Sequence, residues 1–453
     1  MSRRADAVVV LLALLAATFF WLTTERVNRN DASLYFQLAK NVAEGHGLSS
    51  MKEPPHNWVG SREPLYPLML GIPFRVFGAS IGTVFVVQAL LHALTAVLAG
   101  RIVLRIAGSA RAAMVGAVVV AVFPTLANYT VYTMRETAFT FLVTLATVLT
   151  MAVMPRARVL VAAVAGLAWG AAILCRGVVL PLPVLLAGLL VVLAWRMPAA
   201  ARMAAVRSAV VLVAFTALPI VTWSLYTARA NADFSATPRA WQNLYVRASK
   251  AALTADEMKM YAVYCLSESL ADRMFPGNNL RSVGEGYFYR GASEKLVAMR
   301  AHGMTPAQIE DRVRDETLAL IAAHPIAYAA TSVFEFVKFN SFFQVPLLNE
   351  APAEARYGGT AILLGLRGVF KVAGFVLFAL TLVGAYVSGR AGLIVAAVVL
   401  YFNGVHLVLD SIGRYAVPVA PLYLLLSLVA VRALVVRETA VERKANLVAV
   451  EAR

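Results

Sequence analysis

Residues 159–195 read VLVAAVAGLAWGAAILCRGVVLPLPVLLAGLLVVLAW, and this stretch indicates the solvent in which the chain folds. A helix needs about 20 apolar residues to cross the hydrocarbon core of a bilayer. The stretch is too long for one crossing, and Arg176 and Gly177 stand at its middle. Because a charge is costly inside the bilayer, we predict two crossings, 159–175 and 177–195, joined by a tight turn at a membrane surface.

The same apolar character extends along the whole chain. Of its 453 residues, 60% are hydrophobic and 15% are charged, and the mean hydropathy is +0.71. This composition excludes a water-soluble globular protein and predicts an all-α polytopic membrane protein of about ten helices. No small-x-small cleavage site precedes Glu25, so we expect the first helix to remain as a span. The predicted spans are 5–23, 81–100, 112–127, 136–154, 159–175, 177–195, 208–228, 372–388, 391–409 and 415–435.

The formal net charge of +16 is distributed in a way that predicts an orientation. In a membrane protein such an excess is typical of positive cytoplasmic loops rather than of a nucleic-acid partner. With a cytoplasmic N-terminus, the inner loops between spans contain arginines and no Asp or Glu. Only four of the 25 acidic residues then lie inside, namely Asp6, Glu438, Glu442 and Glu451. We therefore predict a multi-pass protein of the cell inner (plasma) membrane with both termini in the cytoplasm.

The spans divide the chain into four parts. We predict an N-terminal transmembrane module at 1–228 with a first outer loop at 24–80, a large outer loop at 229–371, C-terminal transmembrane helices at 372–437 and a cytoplasmic tail at 438–453. In the first outer loop, 31–44 has the apolar spacing of a helix lying on the membrane, and 64–77 resembles a second one. The large loop is mostly helical, and Thr305-Pro306 marks a helix start. We expect 325–343 to be interfacial as well, because Glu335 and Lys338 interrupt it.

Unusual polar residues are concentrated in the first outer loop and at the predicted outer ends of the spans. The loop contains Asp31, a glycine-histidine stretch ending at Gly47, His56, and Arg62-Glu63 before Pro64-Leu65-Tyr66-Pro67. Further along the chain are Arg135-Glu136-Thr137 at the start of the fourth span, Arg176, and Gly413-Arg414-Tyr415-Ala416-Val417-Pro418 at the start of the last.

The order of these residues resembles the GT-C superfamily of membrane glycosyltransferases. The resemblance is to the bacterial branch related to protein mannosyltransferases and lipid A aminoarabinose transferases. It covers the membrane portion well and the large loop hardly at all. It implies an inverting transfer of a monosaccharide from a polyprenyl-phosphate donor to a lipid, a surface glycan or a protein, on the extracytoplasmic side. Ala32 stands where the mannosyltransferases have a second acidic residue, which argues against a protein acceptor.

Asp31 has two interpretations that are compatible. Asp is favoured at the start of a helix, where its oxygen accepts backbone N–H bonds. The resemblance implies instead a general base that takes the proton of the acceptor hydroxyl. The positive end of a helix would keep the carboxylate ionised in either role.

Fixed positive charge is needed beside a departing lipid phosphate, and the planar guanidinium suits that role. At the end of a span, however, an arginine is also a common interfacial anchor. The candidates for binding the donor phosphate are Arg62, Arg135, Arg176, Lys371 and Arg414.

Several further residues carry more than one interpretation. Glu63, Glu136 and Asp410 either pair with the arginines or contact sugar hydroxyls. The aromatic residues either stack on a sugar or form an interfacial belt; they are Tyr35, Tyr66, Trp58 and Trp241. His46 and His56 either bind a divalent metal with Asp31 or Glu63 or are simply solvated. Cys175 and Cys265 have no metal-ligand spacing, and the sequence leaves open whether they pair.

The main alternative is a multi-pass transporter or flippase of a lipid-linked sugar, and a noncatalytic scaffold is a third. A transporter predicts ionisable residues within the spans along a path, and the predicted spans are nearly free of them. No internal repeat of the kind that builds many transporters is visible. No nucleotide-binding GxxxxGK loop occurs in the sequence, which agrees with a lipid-linked donor.

Overall fold

The structure, a computed structural model, describes residues 2–24, 31–56, 62–154, 158–195, 197–229, 240–266, 268–276, 285–341 and 360–451. Helices form this part of the chain, and it contains no β-strand. The N-terminal helices are α1 Arg3–Thr23, α2 Asp31–Glu44, α3 Leu65–Phe77, α4 Ile81–Ala107, α5 Ala110–Val122, α6 Pro124–Asn128, α7 Glu136–Val153, α8 Val159–Cys175, α9 Leu182–Ala194 and α10 Ala199–Arg229. The remainder are α11 Ala240–Ser249, α12 Ala255–Leu266, α13 Glu268–Met274, α14 Glu285–Ala301, α15 Pro306–Ala323, α16 Pro325–Phe339, α17 Thr360–Val387, α18 Gly389–Val408 and α19 Ala420–Glu451.

The apolar helices agree with the predicted spans. Within the described residues, seven helices are long and apolar enough to cross a membrane, or up to nine if two bent pairs each count as one span. One bent pair, α5 with the short helical segment Pro124–Val131, turns by 47° because Pro124 interrupts the helix. Two shorter apolar helices, Val159–Cys175 and Lys371–Val387, also coincide with predicted spans. The predicted all-α membrane fold is confirmed, and the count of about ten stays approximate.

The predicted break at Arg176 is present. Helix α8 ends at Cys175, and the 3₁₀ turn Gly177–Val179 separates it from α9. Arg176 itself has an extended backbone (φ −159°, ψ 112°), so the helix is broken at the charged residue. The guanidinium therefore belongs to the connection between two apolar helices and not to the interior of either.

Small residues allow the spans to pack closely. Helices α8 and α10 form an extensive interface, and a Cβ added at Gly166 would lie 2.4 Å from the carbonyl oxygen of Leu212. Such glycine contacts are typical of helix packing in membranes, where dispersion contacts replace the hydrophobic effect. One continuous apolar core extends from Val9 of α1 to Leu426 of α19.

The helices of the two predicted outer loops pack onto the bundle of apolar helices. Thr305 is the N-cap of α15, at the helix start that the sequence indicated, and its side chain accepts the N–H of Gln308 in a capping box. Helix α16 follows after a bend of 99° and packs against α18 and the 3₁₀ segment Gly413–Val419. Glu335 and Lys338, the charges that interrupt this apolar helix in the sequence, are both buried.

Charged residues predicted on one side of the membrane meet one another in the structure. Asp6 and Arg101, both predicted to be cytoplasmic, form a salt bridge between α1 and α4. At the other end of the bundle, Asp31 lies beside Arg414, although 383 positions separate them in the chain. Asp6 with Arg101 and Asp31 with Arg414 therefore belong to separate polar clusters.

Candidate active site

Residues from distant parts of the chain meet at the end of the bundle where α2 begins. Asp31 is the first residue of α2, and Arg62 and Glu63 precede α3. Arg135 and Glu136 stand at the start of α7, Arg176 lies in the turn after α8, and Arg414 lies in the 3₁₀ segment before α19. We call the set formed by Asp31, Arg62, Glu63, Arg135, Glu136, Arg176 and Arg414 the polar cluster.

Asp31 is held by two guanidinium groups. Arg62 Nη2 donates to Oδ1 at 2.8 Å, and Arg414 Nη2 donates to Oδ2 at 3.0 Å. Burial by itself would raise the pKa of Asp31, but the charges and hydrogen bonds of the two arginines more than offset it, so the pKa lies below its usual value. The side chain keeps 29% of its surface exposed. Asp31 is thus an ionised and accessible carboxylate.

Glu63 connects three segments of the chain. Its carboxylate forms a salt bridge with Arg135 and accepts the backbone N–H of Gly177 at 3.3 Å. Arg135 also donates to the carbonyl oxygen of Cys175 at 3.4 Å. Burial acts to raise the pKa of Glu63, but Arg135 and the Gly177 N–H lower it below its usual value. Of the two interpretations of Glu63, ion pairing is the one that this geometry displays.

Glu136 and Arg414 form a looser pair. Arg414 Nε lies 3.9 Å from Glu136 Oε1. Glu136 is 2% exposed, and its Oε2 has no hydrogen-bond partner among the described residues. A buried carboxylate oxygen without a donor is costly, so this atom is available to a hydroxyl of a bound substrate.

Arg176 differs from the other arginines of the polar cluster. It is 6% exposed, and within the part of the chain that the structure describes its guanidinium makes no hydrogen bond or salt bridge. Its Cζ lies 4.2 Å from the centroid of the Tyr415 ring, a cation–π contact. The charge faces a cavity of about 110 Å³ lined also by Arg62, Glu63, Arg135, Asn243, His406 and Tyr415. A buried cation of this kind calls for an anion.

The two tyrosines named from the sequence are buried. Tyr35 is 2% exposed and Tyr66 is 1% exposed. Arg62 and Arg135 lie over the Tyr35 ring, at 5.6 and 5.8 Å from its centroid, and Tyr66 packs edge-on against the same ring. Tyr35 therefore supports the arginines, and neither buried ring offers an open face to a sugar. Trp241 is half-buried in α11, and Trp58 lies outside the described residues.

Two predicted residues have partners other than those expected. Asp410, expected beside Arg414, forms a salt bridge with Lys250 and accepts the Tyr289 hydroxyl at 2.7 Å, because the outer loop brings a lysine and a phenol next to it. Lys371 donates to the carbonyl oxygens of Cys265 and Leu266, the last residues of α12. Lysine is favourable at that end of a helix, and these contacts tie α17 to the outer loop.

The histidines do not form a metal centre in the described structure. The rings of His46 and His56 stack with centroids 4.0 Å apart, and His46 lies 3.7 Å from Glu44. Asp31 and Glu63, the expected carboxylate ligands, are occupied by arginines. No group of three or more metal-ligating side chains occurs among the described residues. Cys175 and Cys265 are both buried and unbonded.

A second charged group, missed in the sequence, adjoins the cavity. Lys250, Lys338, Glu335 and Asp410 are buried together where the turn after α11 meets α16 and the residues after α18. Arg247 is buried next to them and donates to Thr331 Oγ1 at 2.7 Å. The sequence contains a sign of this buried group, because Glu335 and Lys338 stand one turn apart in an otherwise apolar helix. We call Lys250, Glu335, Lys338 and Asp410 the loop anchor.

Comparisons with known proteins agree with this architecture. Residues 60–223 match the family model of dolichyl-phosphate-mannose-protein mannosyltransferases. The fold resembles the archaeal oligosaccharyltransferase AglB from Archaeoglobus fulgidus, solved with an inhibitory peptide and a dolichol-phosphate, with a TM-score of 0.53 and 14% identity over 98% of this chain. The chain spans about half of the AglB chain, 52%. No match was found among curated protein sequences.

The chain is also similar to a second solved structure. ArnT from Cupriavidus metallidurans, bound to undecaprenyl phosphate, is 15% identical over 93% of this chain and 76% of its own, with a TM-score of 0.41. The predicted resemblance to the GT-C superfamily is confirmed, by the fold over nearly the whole chain and by the family model over residues 60–223. The chain is an integral membrane protein with this architecture.

Proposed function

We propose that the chain is an inverting glycosyltransferase that moves a monosaccharide from a polyprenyl-phosphate donor to a lipid, glycan or protein acceptor on the extracytoplasmic side. The observation that carries the proposal is the polar cluster: an ionised, accessible Asp31 between Arg62 and Arg414, and near them a buried Arg176 that forms no salt bridge within the described residues. The family model and the resemblance to AglB support the class of reaction.

The arginines account for the donor class. Departure of a polyprenyl phosphate from the sugar places negative charge on the phosphate, and preorganised cations stabilise that charge most effectively in a site from which water is excluded. Arg176 is the residue best placed to bind it, because its guanidinium lines the cavity and forms no salt bridge within the described residues. Arg62 lines the same cavity and also contacts Asp31. The donor phosphate, bound in the cavity, and Asp31, the proposed base, would thus lie on either side of Arg62.

Asp31 would act on the acceptor. Its carboxylate takes the proton of the acceptor hydroxyl, the oxygen forms a bond to the anomeric carbon, and the bond from that carbon to the phosphate oxygen breaks. The phosphate leaves with the electron pair, so one displacement inverts the anomeric configuration. Because the pKa of Asp31 is low, it is a weak base and receives the proton as the new bond forms.

The test is mass spectrometry of surface glycolipids and glycans from cells with and without the protein. We expect one class of molecule to lose a single monosaccharide unit when the protein is missing. The parent chain should restore that unit and Asp31→Asn should not, whereas Asp256→Asn, at a carboxylate that is 88% exposed in the outer loop, should restore it. Identical glycan masses with and without the protein would contradict the proposal.

A further inference from the structure

The aromatic ring that supports Arg176 is itself held from the outer loop. Tyr415 lies between two groups, the Arg176 guanidinium at 4.2 Å and the His406 ring, with centroids 5.2 Å apart. Arg176 has no hydrogen bond within the described residues, and its guanidinium lies over two rings, of which Tyr415 is nearer than Phe139, at 6.0 Å. The contacts that hold Tyr415 in place therefore also position the Arg176 guanidinium at the cavity.

A chain of hydrogen bonds leads from Tyr415 to the large loop. Its hydroxyl lies 3.3 Å from that of Tyr289 in α14, and Tyr289 Oη lies 2.7 Å from Asp410 Oδ2. A phenol has one proton to donate. Burial, with Asp410 beside it, raises the pKa of Tyr289, so the phenol stays protonated and donates to Asp410. Tyr415 must then be the donor to Tyr289, which gives the chain a fixed direction.

The far end of this chain is the loop anchor. Lys250, next to α11, contacts both Asp410 and Glu335 and is fully buried. Glu335 in turn accepts the backbone N–H of Ser411 at 2.8 Å. Asp410 and Ser411, which shortly precede the 3₁₀ segment Gly413–Val419, are thereby bound to Lys250, Tyr289 and Glu335. Removing one member of a buried ionic group leaves its partners unpaired, so these contacts break together.

The same part of the large loop also lines the cavity. Ala240 and Asn243 of α11 line it together with Arg176 and Tyr415, and Lys250 lies directly after α11. The segment that lines the cavity is therefore also the segment whose lysine holds Asp410. Docking of the loop and placement of the guanidinium are linked through a few side chains.

We infer that Tyr289 and Lys250 are positioning residues of the phosphate-binding site: through Asp410 and Tyr415 they hold the ring against which Arg176 lies. This inference rests on the proposed function. It gives the large outer loop a role in binding the donor, in addition to any role in choosing the acceptor. It predicts that loop substitutions which touch no substrate weaken binding of a lipid phosphate.

The experiment measures binding of undecaprenyl phosphate, with undecaprenol as the phosphate-free control, to the full chain in lipid nanodiscs. Tyr289→Phe keeps the ring and removes the hydroxyl, and we expect the phosphate-dependent affinity to fall by roughly threefold to tenfold. Tyr287→Phe is the matched control, because Tyr287 lies in the same helix and is 55% exposed; its affinity should equal that of the parent. Tyr415→Leu, which removes the ring, should weaken binding by about tenfold.

A double substitution separates positioning from general stability. If the hydroxyls act in one chain, Tyr289→Phe combined with Tyr415→Phe should weaken binding no more than either alone, with an unchanged melting temperature. Parent-like affinity of Tyr289→Phe, or additive losses in the double variant, would overturn this inference while leaving the proposed function intact. Failure of the parent to prefer undecaprenyl phosphate over undecaprenol would overturn both.

Discussion

Within the polar cluster, Asp31 and Glu63 each owe a lowered pKa to particular arginines. Asp31 is shared between Arg62 and Arg414, whereas Glu63 belongs to Arg135. The pairs differ in exposure: the Asp31 side chain is 29% exposed and that of Glu63 is 12% exposed. The accessible carboxylate suits chemistry on an incoming hydroxyl, and the enclosed one suits holding the site together.

The charge of Asp31 should set the acid limb of the pH profile. Burial raises the pKa of Asp31, and in Arg62→Gln only Arg414 remains to lower it, so this pKa should rise. The acid limb of kcat for sugar transfer should therefore move to higher pH. Arg75→Gln, at an exposed position in α3, should leave the limb in place. An unmoved limb in Arg62→Gln would show that another group titrates.

The lowered pKa of Asp31 in the parent chain also makes the stability of the fold depend on pH. Because the native pKa of Asp31 lies below that of the unfolded chain, about 3.9, its stabilising contribution is fully present above that pH. It is lost as the pH falls through the lower native value.

Glu63 should matter for stability more than exposed acids do. Glu63→Ala leaves the guanidinium of Arg135 buried without its carboxylate, and we expect a loss of roughly 3 kcal/mol in the free energy of unfolding. Glu44→Ala breaks an exposed salt bridge with Lys40 and should change little. Thermal unfolding of the purified variants in one detergent compares them, and equal melting temperatures would refute the structural role of Glu63.

Among the helices, the contact between α8 and α10 depends on the absence of side chains. Gly166 and Gly170 both face backbone carbonyl oxygens of α10, those of Leu212 and Thr216. We expect Gly166→Ala to force the helices apart and to cost roughly 1–3 kcal/mol. Gly188→Ala is the control, because a Cβ there meets no atom within 4 Å. A melting temperature of Gly166→Ala equal to that of the control would contradict this packing.

The helices could be predicted from the sequence because their causes are local. Hydropathy located the apolar spans, Pro124 breaks one of them, and Thr305 with Gln308 caps α15. The partners of α16 could not be predicted in the same way. Glu335 and Lys338 were recognised as interruptions of an apolar helix, but their burial depends on Lys250 and Asp410, which only the folded loop supplies.

Over the whole molecule, the family resemblance brought the residues of the polar cluster together before the fold was known, and the fold places them in contact. The sequence could not assign every partner: Asp410, expected beside Arg414, pairs with Lys250, and Lys371, expected among the phosphate ligands, contacts the end of α12. Which acidic residue pairs with which basic residue depends on distances of a few ångströms between side chains from distant segments. Sequence patterns do not contain these distances.

The orientation of the molecule yields a prediction of its own. A membrane-impermeant maleimide applied to intact cells should label Ser293→Cys in α14 and spare Ala110→Cys, at the start of α5. Both positions are exposed, and the natural cysteines are buried and should contribute little background. Once the membrane is permeabilised, both should react. Labelling of Ala110→Cys in intact cells would reverse the orientation that the arginine distribution predicts.

The most direct test of the central claim is single-turnover transfer by the purified chain, with the donor sugar identified by mass spectrometry. Asp31→Asn should lower the rate of transfer on the order of 10²- to 10⁴-fold, while retaining its melting temperature and its binding of undecaprenyl phosphate. Asp256→Asn should match the parent. Transfer by Asp31→Asn at the parent rate would contradict the account, since Asp31 would then not be the base.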